Sequence, residues 1–162
     1  NTKGRFVEGK MSGRWEVFHA DGSRKTQTDY QNGIKHGTET LYDENGSIYQ
    51  KAGYKEGVIN GLWERYVDGI LVEKGTYIEG KKDGLWVFYA QNGYKQREQE
   101  FKQGKPNGKW VEYFSANKKS AEGEYSDGQK TGTWKNYDKK GNVLTETVFK
   151  NGKKIKEEIK KK

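Results

Sequence analysis

Hydrophobic positions in this chain are mostly single aromatics set in polar surroundings, and they return on a fixed beat. An aromatic followed three residues later by glycine stands at Phe6/Gly9, Tyr30/Gly33, Tyr54/Gly57, Tyr77/Gly80, Phe101/Gly104, Tyr125/Gly128 and Phe149/Gly152, at intervals of 24, 24, 23, 24, 24 and 24 residues. Four residues after each of the first six glycines comes another, at Gly13, Gly37, Gly61, Gly84, Gly108 and Gly132. Two positions on stands Trp15, Trp63, Trp86, Trp110 or Trp134, and only the second copy departs, with Glu39; all five tryptophans share this phase. Three residues further lies Phe18, Tyr42, Tyr66, Tyr89, Tyr113 or Tyr137. Self-similarity at a fixed period marks a repeat architecture in which each copy is one small supersecondary unit.

The unit reads as a β-hairpin. A second turn follows the aromatic pair at Asp21-Gly22, Asn45-Gly46, Asp68-Gly69, Asn92-Gly93 and Lys140-Gly141, with Asn117-Lys118 in the fifth copy. Asp-Gly and Asn-Gly between aromatic-rich runs signal hairpins because these residues tolerate positive φ. The 23-residue interval falls at Val67-Asp68-Gly69, and a hairpin array tolerates a deletion confined to a turn. Strands are expected over segments such as Leu62 to Tyr66 and Ile70 to Ile78. Near the end, Ile155 and Ile159 are four apart and suit either a brief capping helix or a final strand. The expected fold is all-β, an elongated single-layer antiparallel β-meander of tandem hairpins. It forms one repeat domain over 1–162, with full repeats at about 6–29, 30–53, 54–76, 77–100, 101–124 and 125–148, and a partial repeat with a Lys-rich tail over 149–162. Trp and the next aromatic are three apart, so either the two rows take opposite faces or a bulge turns both to one.

Composition narrows the function classes. Hydrophobic residues make up only 30%, too few for an ordinary two-layer core, yet aromatics reach 14%, which a disordered chain would not carry. Few aliphatics with many aromatics and glycines imply a thin structure in which each unit packs mainly on its neighbours. With no cysteine, disulfides, zinc–thiolate sites and cysteine nucleophiles are excluded. No apolar run approaches the ~20 residues of a membrane helix. Of the net charge of +8, the stretch Lys150 to Lys162 supplies +5, from seven lysines and two glutamates. That tail is either a solvated terminus or a contact for an anionic surface. The chain starts Asn1-Thr2-Lys3 without a methionine, which suggests that an upstream segment was removed. Export of a bacterial protein is one reading and cytoplasmic residence the other.

The Tyr-x-x-Gly-x-x-x-Gly-x-Trp-x-x-Tyr unit, running from about Phe6 to Gly152, resembles the MORN (membrane occupation and recognition nexus) repeat. It is most similar to the bacterial variant known as the YwqK-family antitoxin. The resemblance implies a twisted sheet of hairpins and a scaffold role. It also implies membrane or phospholipid contact in eukaryotic members and a protein toxin as partner in the YwqK type.

No catalytic constellation stands out. His19 and His36 occupy non-equivalent repeat positions and lack the spacing of metal ligands, and the glycines fall at hairpin turns rather than in a phosphate- or dinucleotide-binding loop. No metal or cofactor is expected. The repeat body is nearly charge-balanced, which argues against nucleic acid despite the interleaved aromatics. The remaining candidates are the aromatic rows: Trp15, Trp63, Trp86, Trp110 and Trp134, with Tyr66, Tyr89 and Tyr113. They form either the core of the thin sheet or a binding groove. The expectation is a non-catalytic module for protein–protein interaction, as scaffold or antitoxin-like binder. The alternatives are an adaptor on an anionic membrane surface and an exported glycan- or cell-wall-binding repeat protein.

Overall fold

Fourteen strands follow one another along the chain, each hydrogen-bonded antiparallel to its chain neighbours in one open sheet, and the described residues contain no helix. The structure, a computed structural model, describes residues 1–160. The chain divides into the units Asn1–Lys81 and Lys82–Lys162. The first holds β1 (Thr2–Val7), β2 (Lys10–Phe18), β3 (Arg24–Gln31), β4 (Ile34–Tyr42), β5 (Ile48–Lys55), β6 (Val58–Val67) and β7 (Ile70–Ile78). β8 (Lys81–Tyr89) begins at the junction, and the second unit continues with β9 (Lys95–Lys102), β10 (Lys105–Ser115), β11 (Lys118–Ser126), β12 (Gln129–Tyr137), β13 (Val143–Lys150) and β14 (Lys153–Ile159). The expected meander of tandem hairpins is what the chain forms. Ile155 and Ile159 lie on β14, with Ile159 opposite Thr145 of β13, so the strand reading of this segment holds and the helix does not form.

Turn chemistry sets the register. At the first turn of each repeat both central residues have positive φ, as in Asn32-Gly33 (52° and 83°) and Glu56-Gly57 (51° and 80°). This is the primed turn whose twist matches that of the flanking strands. From Asn32-Gly33 onward such turns are stitched to the preceding repeat: the Gly33 N–H donates to the Met11 carbonyl, Gly57 to Lys35 and, in the second unit, Gly128 to Pro106, each at 2.8 Å. The second turns differ. Asp68-Gly69 is again a two-residue turn, whereas β2–β3, β4–β5, β8–β9 and β12–β13 are joined by five-residue loops. In these the leading aspartate can fold back, Asp43 Oδ1 accepting the N–H groups of Asn45 and Ser47 at 2.9 Å.

A register shift precedes every second-row aromatic, at Phe18, Tyr42, Tyr66, Tyr89, Tyr113 and Tyr137. The extra residue lies on the strand that follows: Val17 faces Thr26 while Phe18 faces Arg24. The Trp-bearing strand therefore keeps its alternation, and the two aromatic rows take opposite faces. In each unit one face is a tryptophan face and the other a tyrosine face.

The core is correspondingly thin. Buried apolar side chains are Ala52, Trp86, Val87, Ala121 and Trp134, joined by buried polar residues such as Thr28, Glu39, Gln99 and Thr147. Most of these line the tryptophan rung. In the first unit it runs Trp15, Thr28, Glu39, Ala52, Trp63 and Gly75 across neighbouring strands. In the second unit Trp86 and Trp110 flank Gln99, and Trp110 faces Gly123. Large rings thus alternate with smaller residues. The spacing is tight at Gly123, where a Cβ would stand 2.2 Å from the Trp134 ring.

Candidate functional site

The aromatic residues singled out from the sequence fall into two sets. Trp15, Trp63, Trp86, Trp110 and Trp134 line the tryptophan face of their units, and Tyr66, Tyr89 and Tyr113 belong to the tyrosine face. No single groove brings all eight together.

On the tryptophan face the rings brace one another. Phe6 meets Trp15 edge-on at 4.9 Å and Tyr125 meets Trp134 at 5.1 Å, while Trp110 and Trp134 approach to 5.1 Å. Lysines close over the rings: Lys82 Nζ sits 3.7 Å above Trp86, and Lys130 Nζ 4.0 Å above Trp134. Such contacts contribute about 0.5–2 kcal/mol each. The outcome is a Trp86 ring with 0% exposure and a Trp134 ring with 6%. Trp15, Trp63 and Trp110 are half-buried. The Trp134 indole N–H donates to the Glu124 carbonyl at 3.2 Å.

Where the second repeat lacks tryptophan, Glu39 is buried instead. Its carboxylate takes the Lys35 ammonium and the Thr28 hydroxyl, the latter at 3.3 Å, and Lys35 also lies 4.8 Å from the Tyr54 ring. Burial disfavours the Lys35 charge, but the Glu39 carboxylate outweighs it and raises the amine above its usual range.

The tyrosine face is a charged ladder. Lys3, Glu16, Gln27, Thr40, Lys51, Glu64 and Lys74 face one another across the first unit, and Glu98, Val111, Glu122, Lys135 and Glu146 across the second. Aromatics stand beside this ladder with their hydroxyls tied to it. Tyr66 donates to Glu64 at 2.8 Å, Tyr113 to Glu98 at 2.6 Å, and Tyr137 to Glu122. Basic side chains pack on the rings, Lys51 at 5.7 Å from Tyr66 and Lys95 at 5.8 Å from Tyr113. Partial burial, then the bonded glutamate, pushes the phenols of Tyr66, Tyr113 and Tyr137 up to about 12. Burial works against the Glu98 charge, yet Lys95 and Tyr113 together hold its carboxyl below the usual range.

This ladder was not apparent in the sequence. Glu64 and Tyr66, two apart on one strand, are legible as same-face neighbours, but Glu98 and Tyr113 meet only through strand register.

Among the described residues no group of three or more His, Cys, Asp or Glu is placed to hold a metal, and no helix is long and apolar enough to cross a membrane. His19 lies at the β2–β3 loop and His36 on β4. Much of the Lys-rich tail forms β14, the last strand in the sheet order, where Lys154 and Lys156 are exposed but paired. Lys154 pairs with Glu157 at 2.8 Å, Lys156 with Glu158, and Lys160 with Glu158 at 2.9 Å and Glu146 at 3.4 Å. Lys161 and Lys162 lie outside the described residues.

Residues 35–56 and 130–151 match a MORN repeat variant. Both matches begin at a lysine five residues after a repeat aromatic and end at the next first turn. No curated protein matches the chain.

Proposed function

We propose that this chain, with one MORN-variant match in each of its two units, is a non-catalytic protein-recognition module that acts through the tyrosine face, as a scaffold or antitoxin-like binder. The observation that carries the reading is the unequal use of the two faces. Trp86 and Trp134 are covered by packing, whereas the half-buried tyrosines of the other face carry hydrogen-bonding tips among ordered charges. Tyrosine suits interfaces because it supplies apolar area and a polar tip from one stiff side chain. Lysine and glutamate rungs around it would set the register of a charged partner. In this reading Tyr66 makes contact in the first unit and Tyr89 and Tyr113 in the second, while Trp15, Trp63, Trp86, Trp110 and Trp134 brace their units from the opposite face.

The membrane-adaptor reading draws less support, because Lys154, Lys156 and Lys160 of the tail already face glutamates. The glycan-binding reading needs open aromatic platforms, and the indoles at 86 and 134 are covered. The test is a pull-down from the native cell extract, read by mass spectrometry, with wild type and a Tyr113→Ser/Tyr137→Ser variant. The variant should keep the β-sheet circular dichroism of wild type at the assay temperature and lose the captured protein. Undiminished capture by the folded variant would overturn the reading.

A further inference from the structure

We infer that the second-turn edge of the unit Lys82–Lys162 docks an acidic segment of the partner protein. This rests on the protein-recognition reading above and names the chemistry recognised. Charge is divided unequally: residues 1–81 hold 12 basic and 12 acidic side chains, and residues 82–162 hold 19 and 11, so the whole net charge of +8 belongs to the second unit.

Part of that excess is gathered where the hairpins end in their second turns. Lys95 opens β9, Lys118 and Lys119 open β11, Lys139 and Lys140 lie in the β12–β13 loop, and the Lys160 N–H is bonded to the Leu144 carbonyl. Three of these are partly neutralised from within: Lys95 by Glu98 at 2.7 Å, Lys119 by Glu122 at 2.6 Å, and Lys160 by Glu146 and Glu158. Lys118, Lys139 and Lys140 are exposed and pair with no carboxylate among the described residues. Asp138 is the only carboxylate within segments 90–94, 115–118 and 138–142, and it is turned onto its own loop. Its Oδ1 accepts the N–H groups of Lys140 at 2.8 Å and Asn142 at 2.9 Å.

Shape and apolar anchors accompany the charge. A concavity between the last two turns is lined by Asn117, Lys118, Tyr137, Lys139 and Lys140. Tyr94 and Phe114, at the same edge, are 51% and 46% exposed. The first unit reverses the sign. Its corresponding segments, 19–23, 43–47 and 67–70, carry Asp21, Asp43, Glu44 and Asp68 and no lysine or arginine.

A carboxylate-rich peptide fits this edge better than a phosphate backbone does. The cations here are all lysine, which attracts diffuse negative charge without the forked grip that arginine gives a phosphate. The one arginine of the unit, Arg97, lies 4.0 Å from the Phe88 ring instead.

The experiment uses the full chain and a fluorescein-labelled decaglutamate peptide, followed by anisotropy at low salt, with a labelled oligothymidylate and phosphatidylserine vesicles as rival ligands. Decaglutamate should bind the wild type. Binding should weaken about tenfold in the Lys118→Gln/Lys139→Gln/Lys140→Gln variant. The variant Lys102→Gln/Lys105→Gln/Lys150→Gln removes equal charge from the first-turn edge and should stay within about twofold. Equal losses in the two variants, no binding of decaglutamate, or stronger site-dependent binding of oligothymidylate or vesicles would each overturn the inference. If decaglutamate fails while the extract pull-down still returns a protein lost on Tyr113→Ser/Tyr137→Ser, this inference falls and the protein-recognition reading stands. If that pull-down also returns nothing, both fall.

Discussion

Trp86 and Glu39 hold the same position in their repeats, one in each unit, and both are buried, at 0% and 7% exposure. The indole is favoured there because apolar area leaves water and neighbouring rings pack on it, which by area is on the order of 5 kcal/mol. The carboxylate gains nothing from burial itself and is tolerated because Lys35 and Thr28 satisfy it. One slot in the sheet is therefore filled by two different physical means. One adds stability, and the other makes a local polar network depend on specific partners.

Removing the ring should have the largest effect. Trp86→Ala is expected to lose about 3–5 kcal/mol in urea unfolding, and a loss below about 1 kcal/mol would mean the rung is not the core. Next, Lys35→Met should cost about 2 kcal/mol in urea unfolding by leaving the buried Glu39 carboxylate without its cation. Glu39→Trp restores the repeat pattern and should land within about 1 kcal/mol of wild type or above it, because a buried pair is often replaced by apolar groups without loss. A collapse of stability would show that the two slots are not equivalent.

The smallest effect lies on the other face. Tyr113→Phe should cost about 1 kcal/mol or less at neutral pH. With folded phenols at about 12 against an ordinary 10, the stability contributed by Tyr66, Tyr113 and Tyr137 is complete below pH 10 and fades as pH rises through 12. An ultraviolet titration of the folded protein should show a late tyrosinate phase that Tyr113→Phe diminishes; a single wave near 10 would contradict the ladder.

Much of this was legible beforehand. The period, the hairpins and the shared phase of the tryptophans are properties of spacing, and the aromatic spacing had reduced the face question to two alternatives. Choosing between them required knowing which strand carries the extra residue before Phe18 or Tyr113, and that residue, such as Lys25 between Thr26 and Arg24, has no distinguishing chemistry. Ile155 and Ile159 were ambiguous for a related reason: their spacing suits a helix, while backbone pairing with Thr145 and its neighbours decides for a strand. The Glu39–Lys35 pair could have been found, since the missing tryptophan marked the place and Lys35 stands four residues before it.

The stitches between first turns all point one way. Gly33 donates back to Met11, Gly57 to Lys35, Gly104 to Lys82 and Gly128 to Pro106, so the later repeat always brings the donor and the earlier one holds the acceptor. A ribosome delivers a repeat of this length in on the order of 1–5 s, while a hairpin closes in roughly 1–10 μs. Each emerging hairpin therefore meets a docking carbonyl that is already in place, and the nascent chain can fold in the order of its synthesis without waiting for its C-terminus.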